Sequence, residues 1–197
     1  MSSMRARLRE RRASGDRGAV LVEAAFVLPI FLFFIFGTIE FGLAFASQST
    51  TTSSTRQGAR FASATFAAAG NPAAAADQIR VTMQQYISAL TGYDTPVRMW
   101  VYHAAPPNTL GAGEPIGGAG FTSCNSDCYR YSWNGTQFVL DASPGWNDAA
   151  ACAPSIDSVG VYLEVNHNYV TGAIGTSVLL KEHTTLRLEP LPLAQCP

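Results

Sequence analysis

The sequence predicts an α+β protein: a long N-terminal transmembrane helix continuing into a helical stalk, then an antiparallel β-sheet packed against a helix. Three observations carry this prediction. Residues 24–39 hold no charged side chain and lie inside a longer apolar run. An apolar stripe at helical spacing follows between Ile79 and Leu90. Beyond residue 97, short runs alternate apolar and polar residues, the period of a half-buried strand. The predicted units are a basic cytoplasmic leader (1–18), the transmembrane helix (19–46), a helical stalk with an amphipathic helix (47–91), and an extracytoplasmic β domain (97–197).

The apolar run is GAVLVEAAFVLPIFLFFIFGTIEFGLAFA, residues 18–46. As a helix from Ala19 to Ala46, at about 1.5 Å per residue, it covers roughly 40 Å, enough to cross a bilayer with tilt. No polar residue falls between Glu23 and Thr38, so the helix has no water-facing stripe. The alternative, a buried core helix, needs an apolar shell that the rest of the chain does not supply. Pro29 cannot donate to the carbonyl of Ala25, which predicts a kink there. Thr38, Gly42 and Ala46 recur every four residues as a small-residue stripe suited to close helix contact in lipid. Glu40, near the outer end, reaches the interface and needs no special role.

Charge orients the span. Six of the twelve arginines (Arg5, Arg7, Arg9, Arg11, Arg12 and Arg17) precede it, against Glu10 and Asp16 alone. A basic flank beside a first span stays in the cytoplasm, so residues after about Ser47 face outward. Past residue 18 the balance is 7 basic to 12 acidic, which gives no electrostatic footprint for nucleic acid. Residues 1–18, basic and Gly/Ser-broken, are expected to be disordered or removed.

Between 47 and 55, S-Q-S-T-T-T-S-S-T consists of poor helix formers whose hydroxyls water satisfies, so the helix leaves the membrane there. Arg56 to Ala69 is again helix-compatible. Arg56 and Arg60, one turn apart, form a solvated face or meet lipid phosphates. Gly70-Asn71-Pro72 ends that stretch. A second helix is predicted from Ala73 to Leu90, its stripe of Ile79, Met83, Tyr86, Ile87 and Leu90 packing on the sheet. Thr91-Gly92 closes it.

In the β region, Val97, Met99 and Val101 alternate with Arg98, Trp100 and Tyr102. A Gly- and Pro-rich loop occupies Ala104 to Ser123 and carries no phosphate-loop lysine or dinucleotide fingerprint. Tyr129 to Asp141 reads as a hairpin with Asn134-Gly135 as its two central residues. That register sets Tyr131 opposite Phe138 and Tyr129 opposite Leu140. Asn134-Gly135-Thr136 is also a glycosylation sequon, but the turn is the preferred reading. Val159, Val161, Leu163 and Val165 mark another strand, and Val178, Leu180, Thr184, Leu186 and Leu188 mark the last, interrupted by Glu182. Four or five strands are expected, with the second helix on one face.

Cys124, Cys128, Cys152 and Cys196 all fall on the predicted outer side. An even count in an oxidising compartment favours two disulfides, with three connectivities open. Zinc is the rival: Cys124 and Cys128 have tolerable spacing, but no second close pair follows, and His103, His167 and His183 are scattered. Neither a nucleophile elbow nor a zinc-protease helix motif occurs. Glu182-His183 and Asn166-His167-Asn168 are formal acid/base candidates, more simply read as exposed strand residues. No enzyme activity, cofactor or metal is expected.

Gly18, four apolar residues, Glu23 and then a long apolar helix resemble the processing site of type IV pilin-like precursors. The wider resemblance is to the TadE-like minor pilins (pseudopilins) of the Tad pilus. Three segments carry it in order: R-G-A-V-L-V-E-A-A-F-V-L-P-I at 17–30 with G-T-I-E-F-G at 37–42, S-T-R-Q-G-A-R-F-A at 54–62, and H-T-T-L-R-L-E-P at 183–190. Ala24 departs from the family, which usually has an aromatic residue there. The resemblance implies that a prepilin-type peptidase cuts between Gly18 and Ala19. It also implies that Glu23 meets the new N-terminal amine of a neighbouring subunit and sets register. The implied partners are membrane lipid, that peptidase, other pilin-like subunits and the pilus assembly machinery, with surface attachment as the outcome. A secretory signal ending at Ala44-Phe45-Ala46 competes, although its apolar core is longer than the 7–15 residues usual for such signals and holds Glu23 and Glu40. The functional alternative is an extracytoplasmic binding domain, permanently anchored or secreted, unrelated to pili.

Overall fold

The computed structural model describes residues 2–68, 70–90, 92–107, 109, 111–116, 120–172 and 175–196, with side chains from residue 18 onward. One continuous helix, α1 (Ser2–Thr65), includes Pro29 without interruption. Its backbone is already helical through the basic leader, for which the sequence predicts disorder or removal. The Arg side chains of the leader lie outside the described residues, as does Thr91. From Gly18 the helix is long and apolar enough to cross a membrane, and its most apolar 18 residues are 0% buried. No shell of protein wraps it, so it is not a core helix.

Past the apolar run, α1 lies on a five-stranded antiparallel sheet. The sheet order is β3 (Phe138–Ala142), β2 (Cys128–Trp133), β1 (Asp94–Ala104), β6 (Ser158–Asn168) and β7 (Ser177–Arg187). A small hairpin, β4 (Ala151–Cys152) with β5 (Ser155–Ile156), stands apart from it. The second helix, α2 (Pro72–Ile87), starts on Asn71, whose side chain caps the Ala74 N–H. Ile79, Met83 and Ile87 are buried as their spacing predicts, and Tyr86 and Leu90 are half-buried. The sheet is covered by two helices side by side, α1 against β6 and β7 and α2 beside it, rather than by α2 alone.

The hydroxyl-rich stretch does more than leave the membrane. Ser47, Thr51, Ser54 and Thr55 are buried. Thr51 donates to the Ser47 carbonyl (2.8 Å), Ser54 to that of Thr50 (2.8 Å) and Thr55 to that of Thr52 (3.0 Å). Hydroxyls satisfied by their own helix need no water, so the small side chains pack against the strands. Gly58 continues this stripe: a Cβ there would overlap Met83 and lie 3.5 Å from Val161 Cγ1. Arg56 and Arg60 point away and are exposed.

Both faces of the sheet are covered. Met99, Val101, Val159, Val161, Leu163 and Val165 face the helices. Trp100, Tyr102 and Tyr162 form a second cluster on the far face with Phe121 and the Cys124–Cys128 loop. The Gly/Pro-rich segment thus serves as a lid on the outer aromatics. Gly160 is the close-packing point: it pairs with Tyr102 across β1 and β6, and a Cβ there would fall inside the Tyr102 ring. The Tyr102 hydroxyl is pinned by donation to the Gly113 carbonyl (2.8 Å). Gly160→Val is therefore expected to cost about 2–3 kcal/mol by overpacking, read as a lower denaturation midpoint of the full chain in detergent.

The β2–β3 hairpin forms, but its register differs from the predicted one by two residues. Trp133 pairs with Phe138 and Tyr131 with Leu140. The central turn residues are Gly135 and Thr136, because the Asn134 carboxamide oxygen accepts from the N–H groups of Thr136 (3.0 Å) and Gln137 (2.9 Å). Gly135, at φ 101°, takes the first central position as glycine-first hairpin turns require. The shifted register sets Trp133 edge-on to Phe138 at 5.2 Å.

Two disulfides close the fold, Cys124–Cys128 and Cys152–Cys196. Cys124 and Cys128, the pair with zinc-like spacing, are thus bonded to each other. Across the outer face, the Arg98 fork meets Glu164 at 2.6 and 2.7 Å, and the Tyr162 hydroxyl donates to the same carboxylate. Burial pushes the Glu164 carboxyl up, but the Arg98 and Tyr162 hydrogen bonds outweigh it and hold the group below its ordinary value. Such a depressed carboxylate stabilises the fold above its unfolded pKa of about 4.3 and loses that contribution as pH falls through the folded value. Melting temperature is expected to drop below about pH 4, and more shallowly in Glu164→Gln; equal slopes in both would remove Glu164 from the acid response.

Candidate functional site

The functional residues that the sequence predicts along α1 are all exposed. Gly18, Ala19 and Glu23 are exposed at the start of the apolar run, and a Cβ at Gly18 would meet open space. Thr38, Gly42 and Ala46 are exposed too, and Gly42 has nothing of its own chain within 4 Å of a built Cβ. The Thr38 hydroxyl donates to the Phe34 carbonyl at 2.8 Å. The stripe therefore faces away from the sheet and, among the described residues, meets no other element of the chain.

Glu40 is the opposite case and corrects its sequence reading. Its side chain is fully buried, and its carboxylate accepts the backbone N–H of Val170 at 2.9 Å and that of Thr171. These residues open the turn between β6 and β7, whose Tyr169 N–H donates to the Thr176 carbonyl at 3.0 Å. Two adjacent N–H groups on one carboxylate are charge-assisted hydrogen bonds, the stronger kind. They fix the lower end of the sheet to the outer end of the apolar run.

One and two turns further up, Ser47, Asp94 and His167 meet. Ser47 Oγ donates to Asp94 Oδ2 (2.8 Å) and lies 3.2 Å from His167 Nδ1, and that nitrogen lies 2.7 Å from Asp94 Oδ1. The ion-pair side chains are 0% exposed. His167 was predicted to be an exposed strand residue; it is buried because β1 and β6 bring Asp94 directly opposite it. Serine, histidine and aspartate together suggest a hydrolytic triad, but the geometry is different. A triad needs the hydroxyl on one ring nitrogen and the carboxylate on the other, whereas both partners here share Nδ1. Nε2 is buried with no hydrogen-bond partner among the described residues. The group ties α1, β1 and β6 together at the base of the sheet.

The other histidines line an open cleft at the far end. His103 Nε2 lies 3.5 Å from Asp157 Oδ1, and its ring stacks on Trp146 at 4.5 Å. His183 is exposed on β7 and packs near Phe121, while Glu182 turns inward to accept from Gln48. Among the described residues, no group of three or more His, Cys, Asp or Glu is placed to hold a metal ion.

The assembled features are an exposed apolar helix consistent with single-pass anchoring, an exposed helix start at Gly18 and Ala19, and a sheet clamped to the helix through Glu40. Sequence reasoning missed Glu40, Gly58 and the Ser47–Asp94–His167 group, since each depends on contacts more than 20 residues away. No curated protein and no solved structure matches the chain. Residues 18–60, from Gly18 past Glu40 and Gly58 to Arg60, match the model of the family of TadE-like proteins, so this segment of the chain is TadE-like.

Proposed function

We propose that the chain is a minor pilin (pseudopilin) of a Tad-type pilus, processed between Gly18 and Ala19 and then drawn from the membrane into the assembly. The observation that carries this reading is the exposed helix start: Gly18, Ala19 and Glu23 head an apolar segment within the TadE-like match. A prepilin-type peptidase removes the basic leader. Other pilin-like subunits and the assembly machinery then take up the apolar helix, and the β domain is displayed outside, where surface attachment is its task. No catalytic step and no cofactor enter this role.

The Glu40 clamp supports an uncleaved outer half of the helix. Signal-peptide release after Ala46 would strip Glu40 from the Val170 and Thr171 N–H groups and leave two donors to find new partners. Orientation follows from the leader arginines, which hold the N-terminus in the cytoplasm.

The test is the N-terminus of the mature protein, by intact mass and terminal sequencing from membranes. A start at Ala19 is the expected result. A start at Ser47 points to a secreted domain, and an intact leader to a permanent anchor, and either result overturns the proposal.

A further inference from the structure

The height at which Glu40 grips the sheet has a consequence for the lipid. Ala19 to Ile39, at about 1.5 Å per residue, covers roughly 32 Å, close to the roughly 30 Å hydrocarbon thickness of a bilayer. Glu40 is the next residue, and a carboxylate that deep in hydrocarbon is costly. It is buried instead by protein, under the turn that follows β6. The sheet therefore begins at the outer edge of the span, lower than the 19–46 boundary read from composition.

What the turn presents there is apolar and uncharged. Residues 168–180 carry no charged side chain, and Lys181 is the first. Val170 is 48% exposed although its N–H is held by Glu40. Tyr93, whose carbonyl accepts from the Asn168 N–H at 2.8 Å, is exposed beside it, as is Leu179 on β7. On the helix at the same height, Phe41 and Phe45 are 64% and 74% exposed. Aromatic and aliphatic side chains at this level, without charge, match the headgroup–acyl boundary.

We propose that the turn after β6 is a membrane-interface contact, with Val170, Tyr93 and Leu179 resting on the outer leaflet and Glu40 holding them at that depth. The bilayer is the occupant because the surface is continuous with the apolar span of the same chain. This contact holds for the membrane-resident form, and it stands or falls apart from the pilus reading. It makes the domain sit on the lipid surface instead of swinging above it.

The test uses the full chain in phosphatidylcholine/phosphatidylglycerol vesicles containing a lipid with a photoreactive diazirine in its acyl chain near the headgroup. Crosslinks are mapped by mass spectrometry in the unmodified protein. The peptide holding Val170 is expected to be labelled at least three-fold above the one holding Leu193. Leu193 is 90% exposed and follows by four residues Glu189, whose N–H donates to the Ser63 carbonyl, roughly 35 Å up the helix from Glu40. Labelling of residues 19–39 reports insertion in the same sample. With insertion established, equal labelling of the two outer peptides overturns the proposal. A second readout is Val170→Trp against Leu193→Trp with brominated lipid. Quenching several-fold stronger at Val170 upholds the contact, and equal quenching removes it.

Discussion

Exchanging Glu23 for alanine is expected to cut recovery of this chain in pili by about ten-fold or more while leaving its membrane level unchanged. A freed Ala19 amine has an ordinary pKa near 8 and is mostly protonated at neutral pH. Among apolar helices, that ammonium and the Glu23 carboxylate each lose hydration, and pairing relieves both costs at once. Removing one partner leaves the other buried and uncompensated, a penalty of roughly 3–5 kcal/mol in proteins. Ten-fold in recovery needs only about 1.4 kcal/mol of this. Among the described residues nothing covers Glu23, which is exposed, and on the proposed reading its partner is a neighbouring subunit or Ala19 one turn back. Pili carrying normal amounts of the Glu23→Ala chain would end the register mechanism. A fall in membrane level would shift the role of Glu23 to insertion.

Removing the Cys152–Cys196 bridge is expected to lower stability by about 4 kcal/mol, twice the roughly 2 kcal/mol for Cys124–Cys128, on the chain-entropy relation. The cause is span: the first joins residues 44 apart and the second residues 4 apart. The larger loop includes β6 and β7, the strands on which α1 lies, so its closure narrows the unfolded chain where the fold needs order. The measurement is denaturant unfolding of the Cys152→Ser/Cys196→Ser and Cys124→Ser/Cys128→Ser double variants, each in the same detergent. Equal losses would show that loop span does not decide the effect.

How much of this was legible depends on whether a contact is local. The strands announce themselves through alternation, and Val159 to Val165 bury as their period requires. The same holds for Ile79, Met83 and Ile87 on α2. The β2–β3 hairpin was legible as a hairpin, but not in register, because the Asn134 side chain moves the turn by one residue and no period encodes that. The second aromatic cluster was hidden because its cover is a Gly- and Pro-rich loop. Composition describes such a segment as loop without saying what it lies on. Ser47 to Thr55 read as water-facing because hydroxyls favour water on average, yet bonds back to their own helix remove that need. At the proposed site, Gly18, Ala19 and Glu23 rest on a spacing along one helix, which a sequence displays directly. Glu40 was not, because its partners are backbone groups 130 residues away.

The seam between α1 and the sheet also has a mechanical meaning. β6 and β7 run alongside the helix, held by the Glu40 grip at one end, Gln48 to Glu182 and Thr184 to Thr55 between, and the Ser63 carbonyl at the other. A load applied to the far tip of the domain along the helix axis therefore falls on all these links in parallel, as in a lap joint. Peeling would break them one by one, whereas shear must break them together. With an unbroken helix running from Ser2 to Thr65, tension at the tip passes into the apolar segment without a hinge to absorb it.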